Sequence, residues 1–232
     1  MANNVAIHQP NYLPWLGYFH KMMNCDKFVF LDSVPFTKNG LQNRNRIKTA
    51  PGLSWLTVPV LRKGQFGQLT QDVKINKSVD WRRKHWNALC TNYRKAEYFK
   101  QYSGFLQGVY ERQWVSLVDL NIALLKFIME KLYINIPVYL ASQLDCRGEG
   151  SDLLLDICRK LSADGYLSGP SGKEYLREEI FKDNGIEIKY HQFIHPVYAQ
   201  LYGEFVPNLS VIDLLFNCGE KSRDIILGKD GL

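Results

Sequence analysis

Short apolar runs and helically spaced apolar positions alternate along most of this chain. Val5-Ala6-Ile7 opens it as a buried strand over 5–9, and the spacing that follows predicts a helix over 14–24 with Pro14 as its first residue. Lys27 to Asp32 predicts a second strand, so the chain begins as a βαβ unit and a parallel sheet is expected. Ser33 to Lys48 is polar and predicts a loop; Trp55 to Leu61 and Asp72 to Asn76 predict strands separated by a glycine-containing turn. Asp80 to Lys95 predicts a strong helix, with Asp80 as N-cap and Trp81, His85, Trp86 and Leu89 on one face. Helices over Lys100–Gln113 and Ser116–Tyr133 follow. Alternation then returns: a strand at Pro137–Ala141, a helix at Ser151–Leu161, a strand at Tyr166–Ser168, a helix at Ser171–Lys182, a strand at Ile186–Tyr190 and a closing helix at Ser210–Cys218. The expected fold is α/β, a three-layer sandwich with a mainly parallel sheet of nucleotidyltransferase or Rossmann-like type. Residues 1–232 form one domain with a helical insertion at about 80–135.

Composition adds little to this picture, because 46% hydrophobic and 22% charged residues are ordinary for a globular chain. Residues 1–24 lack the basic start and long apolar run of a signal peptide, and the best spanning candidate, Leu117 to Ile136, is interrupted by Asp119, Asn121, Lys126, Glu130 and Lys131. A cytoplasmic protein without membrane insertion is expected. The five cysteines, at positions 25, 90, 146, 158 and 218, are scattered and odd in number, which argues against a disulfide framework or a structural zinc site. No DxD or His/Asp/Glu cluster suggests a metal.

Charge changes the picture more. Residues 1–100 hold 16 Lys/Arg against 5 Asp/Glu, a balance of +11, and the remainder holds 13 against 18, a balance of −5. A basic half attracts phosphates, so nucleotides, nucleotide-sugars and tRNA all fit as partners; a solvated basic face is the plain alternative.

Candidate chemistry starts at His8. A strand ending in His8-Gln9-Pro10-Asn11-Tyr12 at a helix N-terminus is how α/β folds present side chains to a ligand at the carboxyl edge of the sheet. An imidazole titrating near pH 6.5 suits a general base, and a loop-holding histidine explains the position equally well. Lys38, Asn43, Arg44 and Arg46 stand in the polar loop; Arg44 and Arg46 alternate and would point the same way in an extended segment, matching phosphate oxygens. Ser168-Gly169-Pro170-Ser171-Gly172-Lys173 joins a strand to a helix, with Ser171 and Glu174 at capping-box spacing and glycines that let an anion approach. It is not a Walker A loop, because Leu167 stands where the first glycine would be. His195, Tyr198, Tyr202 and Asp213 form a second concentrated stretch: His195 is a second candidate base and Tyr198 a stacking ring. Asp213 is either an amine partner or, with Ser210, a helix cap. His191 reads as structural and His20 as packing or solvent-facing. Trp81, Trp86 and Tyr93 among Arg82, Arg83, Lys84 and Arg94 follow an amphipathic helix more simply than a tRNA surface.

Several stretches resemble one family. HQPNYLPWLGYFHK, FLDSVPFTKNGLQNRNRIK, YLSGPSGKEYL and HPVYAQLYGEFVPNLSVIDLLFNCG, with the spacing between them, are similar to the signature of the WbqC-like family over nearly the whole chain. The resemblance implies work on an activated sugar in O-antigen and other surface polysaccharide synthesis, as an N-acyl or aminoacyl transferase that attaches a group such as glycyl to an amino sugar. His8 would be the base with His195 in reserve. Gln9, Asn11, Tyr12, the loop cations and the Ser168–Lys173 turn would bind substrate. The donor stays open between aminoacyl-tRNA, a thioester and a carboxylate activated with ATP. An ATP-using nucleotidyltransferase-like ligase on another substrate, or a non-catalytic tRNA- or partner-binding module, are the alternatives. The layout resembles nucleotidyltransferases, but the H-x-G-H pattern is absent: Trp15-Leu16-Gly17-Tyr18 stands in its place.

Overall fold

The computed structural model describes residues 3–229 apart from 62, 63, 65 and 66. The chain runs β1 (Asn4–His8), α1 (Leu16–Met23), β2 (Lys27–Phe30), β3 (Arg44–Thr49), β4 (Gly52–Thr57), α2 (Trp81–Tyr93), α3 (Phe99–Glu111), α4 (Leu117–Lys131), β5 (Val138–Leu140), α5 (Gly150–Lys160), β6 (Gly165–Ser168), α6 (Glu178–Asp183), β7 (Glu187–Tyr190), α7 (Val211–Cys218) and α8 (Ser222–Ile226). Five strands form one all-parallel sheet in the order β5-β2-β1-β6-β7. Helices flank it on both faces, as expected of a three-layer Rossmann-like sandwich.

Alternation along β1 sorts the core into two layers. Val5 and Ile7 join Val29, Tyr166 and Ile188 against Leu153, Leu154 and Ile157 of α5 and Phe181 of α6. Ala6 points the other way and joins Phe28, Phe30 and Leu167 against α1, α4 and α7. The second layer is larger because α2, α3 and α4, all between β4 and β5, add Leu89, Tyr93, Leu106, Leu124 and Ile128 to it.

The strand order has a functional consequence. From β1 the chain moves outward to β2 and β5, then crosses back to place β6 and β7 on the opposite side of β1. The β1–β2 ladder reaches His8↔Phe30, whereas the β1–β6 ladder stops at Ala6↔Leu167. The carboxyl ends of β1 and β6 therefore part at the point where the order reverses, which is where open α/β sheets leave a crevice for ligands.

Four local expectations are corrected. Arg44–Thr49 is not loop but β3, paired antiparallel with β4 in a separate two-stranded sheet. Asp72–Asn76 makes only single bridges, Ile75 to Val60 and Lys74 to Ser116, and the turn expected before it falls largely on residues outside those described. The helix expected from Ser171 is a 3-10 turn (Pro170–Glu174) followed by the short α6, and neither Ser171 nor Asp80 caps a helix through its side chain. Asp80 pairs instead with Arg83 at 2.6 Å. Helix α1 starts at Leu16 with Trp15 as its N-cap, two residues after the start expected at Pro14.

Candidate active site

The carboxyl ends of the parallel strands bring together His8 at the end of β1, Asp32 after β2, Ser168 at the end of β6 and His191 after β7. Asp32 is committed to the fold: it accepts from the Ser142 backbone N–H at 2.9 Å and from the Ser142 hydroxyl at 2.6 Å, tying the ends of β2 and β5. At the crevice between β1 and β6 lies a cavity of about 400 Å³, lined by Ile7, His8, Gln9 and Lys21 on one side and by Tyr166, Gly169, Ser171 and Tyr175 on the other. Leu31, Val34, Leu153 and Leu154 give it apolar wall.

His8 is fixed in one tautomer. Its Nδ1–H donates to the carbonyl of Gln9 at 3.1 Å, and its ring meets Tyr18 edge-on with centroids 4.7 Å apart. The same carbonyl accepts from the Tyr18 hydroxyl at 3.0 Å. Nε2 is left as a lone-pair acceptor. Burial, then the Lys21 ammonium, pulls its pKa down to about 3, so the ring is neutral throughout the physiological range.

Lys21 was not a candidate from sequence. It is 3% exposed and its ammonium donates to the carbonyl of Ile7 at 2.9 Å, where the β1–β6 ladder has just ended. Burial pulls its pKa down to about 8. Its neighbour His20 bonds His191 ring to ring, Nδ1 to Nε2, at 2.7 Å. Burial lowers both pKa values, that of His191 to about 4. The periodicity of α1 did carry a signal for Lys21, since Gly17, Tyr18 and Lys21 share a buried helical stripe.

The turn after β6 forms the facing wall. A Cβ on Gly172 would overlap Ser168 Oγ and stand 3.0 Å from Leu176, so the glycine lets this turn close over Ser168 without moving either side chain. Gly169 and Ser171 thereby face the cavity, while Lys173 lies over Tyr190 at 5.1 Å from the ring centre.

The proline-braced loop is anchored on all sides. Gln9 Oε1 accepts from Gln42 Nε2 at 2.9 Å; Tyr12 N–H donates to the Leu41 carbonyl at 3.0 Å; Asn121 Nδ2 donates to the carbonyls of Pro10 and Gln42 at 2.8 and 2.7 Å. Leu13 sits at φ 43° while fully buried, a backbone conformation that costs a non-glycine residue about 1 kcal/mol, and its carbonyl accepts from Asn45. Asn11 is buried, and Tyr12 is buried with its hydroxyl bonded to His85 at 2.9 Å and Tyr110 at 2.6 Å.

The remaining candidates stand outside the cavity lining. Arg44 and Arg46 do share a face of β3, both over Trp55, at 4.4 and 5.6 Å from its ring centre, and Trp55 is half exposed. Asn43 is buried on the Val58 carbonyl and Lys38 is exposed. His195 spends both ring nitrogens on its own segment: Nδ1–H on the Pro196 carbonyl at 2.8 Å, and Nε2 as acceptor of the Asn208 N–H at 3.1 Å. Asp213 is fully buried and accepts from the hydroxyls of Tyr93 at 2.7 Å and Tyr198 at 3.0 Å; burial raises its pKa.

A model of the WbqC-like protein family matches residues 9–225. The chain belongs to the WbqC-like family. The match starts at Gln9 and takes in the loop, β3, the Ser168–Lys173 turn and the segment through Asp213, so of the cavity lining only Ile7 and His8 fall outside it. A relative in Mycobacterium tuberculosis, the uncharacterized protein Rv1507c, is 38% identical over 226 residues, covering 96% of each chain. No solved structure matches. Among the described residues, no helix of this family member is long and apolar enough to cross a membrane, and no group of His, Cys, Asp and Glu could hold a metal ion.

Proposed function

We propose that this protein forms an amide between an activated aminoacyl group, such as glycyl, and the amine of a nucleotide-linked amino sugar used for O-antigen or other surface polysaccharide. One observation carries the reading: His8, in the lining of a cavity at the switch point of a parallel sheet, keeps a neutral imidazole whose Nδ1–H is spent on the Gln9 carbonyl and whose Nε2 has no hydrogen-bond partner among the described residues. Amide formation needs such a group. The sugar amine attacks the acyl carbon, the new C–N bond forms as the bond to the leaving oxygen or sulfur breaks, and the nitrogen loses a proton to His8 Nε2, which passes it to the leaving group. His8 is unprotonated before substrate arrives, and with its pKa held to about 3, by burial first and then by Lys21, it becomes a working base only when bound substrate brings negative charge beside it. An anionic substrate beside it offsets the effect of Lys21 and raises its basicity. The cavity takes the reacting end of the substrate. The Arg44–Trp55–Arg46 face, joined to the His8 loop through Gln9 and Gln42, offers cations and a ring to the nucleotide.

The test is direct. Purified protein is incubated with UDP- and dTDP-linked amino sugars and with glycine plus ATP, glycyl-tRNA or a glycyl thioester, and sugar mass is followed. A glycyl mass gain that falls by about a hundredfold or more in a folded His8→Ala variant supports the reading. No gain with any donor across the sugar panel, or full activity in His8→Ala, overturns it.

A further inference from the structure

A lysine buried to 3% exposure ordinarily meets a carboxylate, because moving an ammonium out of water costs several kcal/mol that only an opposite charge offsets well. Lys21 has none. Among the described residues its one hydrogen-bond acceptor is the Ile7 carbonyl, and it takes part in no ion pair. An ammonium carries three donors, so two are left without a protein partner. The titratable neighbours that bear on it are Cys25, His8 and His191, and the thiol and both imidazoles are neutral at pH 7. Clipping α1 to the end of β1 does not account for a charge, since an uncharged donor would satisfy one carbonyl. What Lys21 does have is a place in the lining of the His8 cavity, opposite Gly169 and Ser171.

We propose that Lys21 is the anion anchor of this cavity, holding an anionic oxygen of the ligand, carboxylate or phosphate, beside His8 and against the Gly169–Ser171 turn. This rests on the His8 cavity being the substrate site. A ligand oxygen there completes the ammonium's shell, and the apolar wall of Leu31, Val34, Leu153 and Leu154 takes the uncharged part of the same molecule. For amide formation, the anchored group is on the acyl donor or on the sugar it meets.

The experiment uses the full chain, with inorganic phosphate and acetate as separate probes. Each is titrated while melting temperature and the lysine side-chain nitrogen resonances are recorded, in wild type, Lys21→Met, Lys21→Gln and the surface control Arg83→Ala. The expected result is that one or both anions raise the wild-type melting temperature and shift the Lys21 Nζ signal. Affinity is expected to drop about ten- to a hundredfold in either Lys21 variant and to persist in Arg83→Ala. Which anion acts tells carboxylate from phosphate. Equal binding by wild type and a folded Lys21 variant overturns the proposal, as does an Nζ signal that neither anion moves; the second measurement stands even if both variants fail to fold. Amide transfer without Lys21-dependent anion binding would sink this inference alone. Anion binding at Lys21 with no transfer on any amino sugar would sink the transferase reading alone.

Discussion

Gln42 reaches back to Gln9 with an amide–amide hydrogen bond of 2.9 Å, and through it the segment entering β3 is joined to the loop that follows His8. Beneath the pair, Asn121 of α4 donates to the carbonyls of both Pro10 and Gln42 and is 0% exposed. One side chain from the helical layer thus holds two loops at the sheet's carboxyl edge. Asn121→Leu fills similar space but leaves two buried carbonyls without donors. We expect a loss of about 2–4 kcal/mol in urea unfolding, with faster amide exchange at Gln9 to Tyr12 and Leu41. A variant as stable as wild type would show that water takes over both carbonyls.

Why α4 does this could not be read from its sequence. Asn121 interrupts an apolar run and looks like an exposed defect until two loops supply its acceptors. The same difficulty hid β3: its buried face is Asn45, Ile47 and Thr49, and a strand whose inward positions are polar looks like a loop. Lys21 was missed for a related reason: it shares the inward stripe of α1 with Gly17 and Tyr18, but a lysine beside His20 reads as solvated until the end of the β1–β6 ladder supplies its acceptor. The parallel sheet and the position of His8 were legible, since Val5-Ala6-Ile7 and Phe28-Val29-Phe30 are apolar on both faces and strand patterns alternate with helical ones. The S-x-x-E spacing at Ser171 misled, because Gly172 packs its backbone on Ser168 and turns the chain too tightly for a full helix.

That contact makes a second prediction. Gly172→Ala should destabilise the protein by about 1–3 kcal/mol, since the added methyl would overlap Ser168 Oγ and force that side chain or the turn to shift. Ser168→Ala removes the obstructing atom, together with the hydroxyl's bond to the Gly169 carbonyl at 3.2 Å and its hydrogen bond with Tyr166. The double variant should therefore be more stable than the sum of the single losses implies, by about 1 kcal/mol, in a denaturation cycle. Strict additivity would show that Leu176, not Ser168, resists the methyl.

A third prediction concerns acid. His85 is 5% exposed and its Nδ1 shares the Tyr12 hydroxyl; burial lowers its pKa from 6.5 to about 4. Between those values the unfolded chain carries a proton on His85 that the native state refuses. Stability held above pH 6.5 is therefore lost as pH falls toward about 4, at about 1.4 kcal/mol per unit from this one group. His8 and His191 act in the same direction. Unfolding free energies at several pH values from 4.5 to 7.5 should fall less steeply in His85→Gln than in wild type, by about one proton's worth of slope. Equal slopes would mean that His85 is protonated in the folded protein, bonded to Thr57.

The two histidines that sequence reasoning paired as bases should separate experimentally. His195 has a donor on one side and an acceptor on the other, and its ring lies between Trp15 and Tyr198 at centroid distances of 6.3 and 6.4 Å. It therefore pins the irregular segment between β7 and α7, and has no nitrogen left to take a substrate proton. His195→Ala should cost about 1–3 kcal/mol of stability and loosen amide protection around Asn208. Below its melting transition it should keep kcat within about tenfold of wild type, whereas His8→Ala should lose about a hundredfold or more even where it is fully folded. Measuring kcat and the unfolding midpoint on both variants separates the roles: a His195→Ala enzyme that folds as wild type yet has lost turnover would move the base to the second histidine.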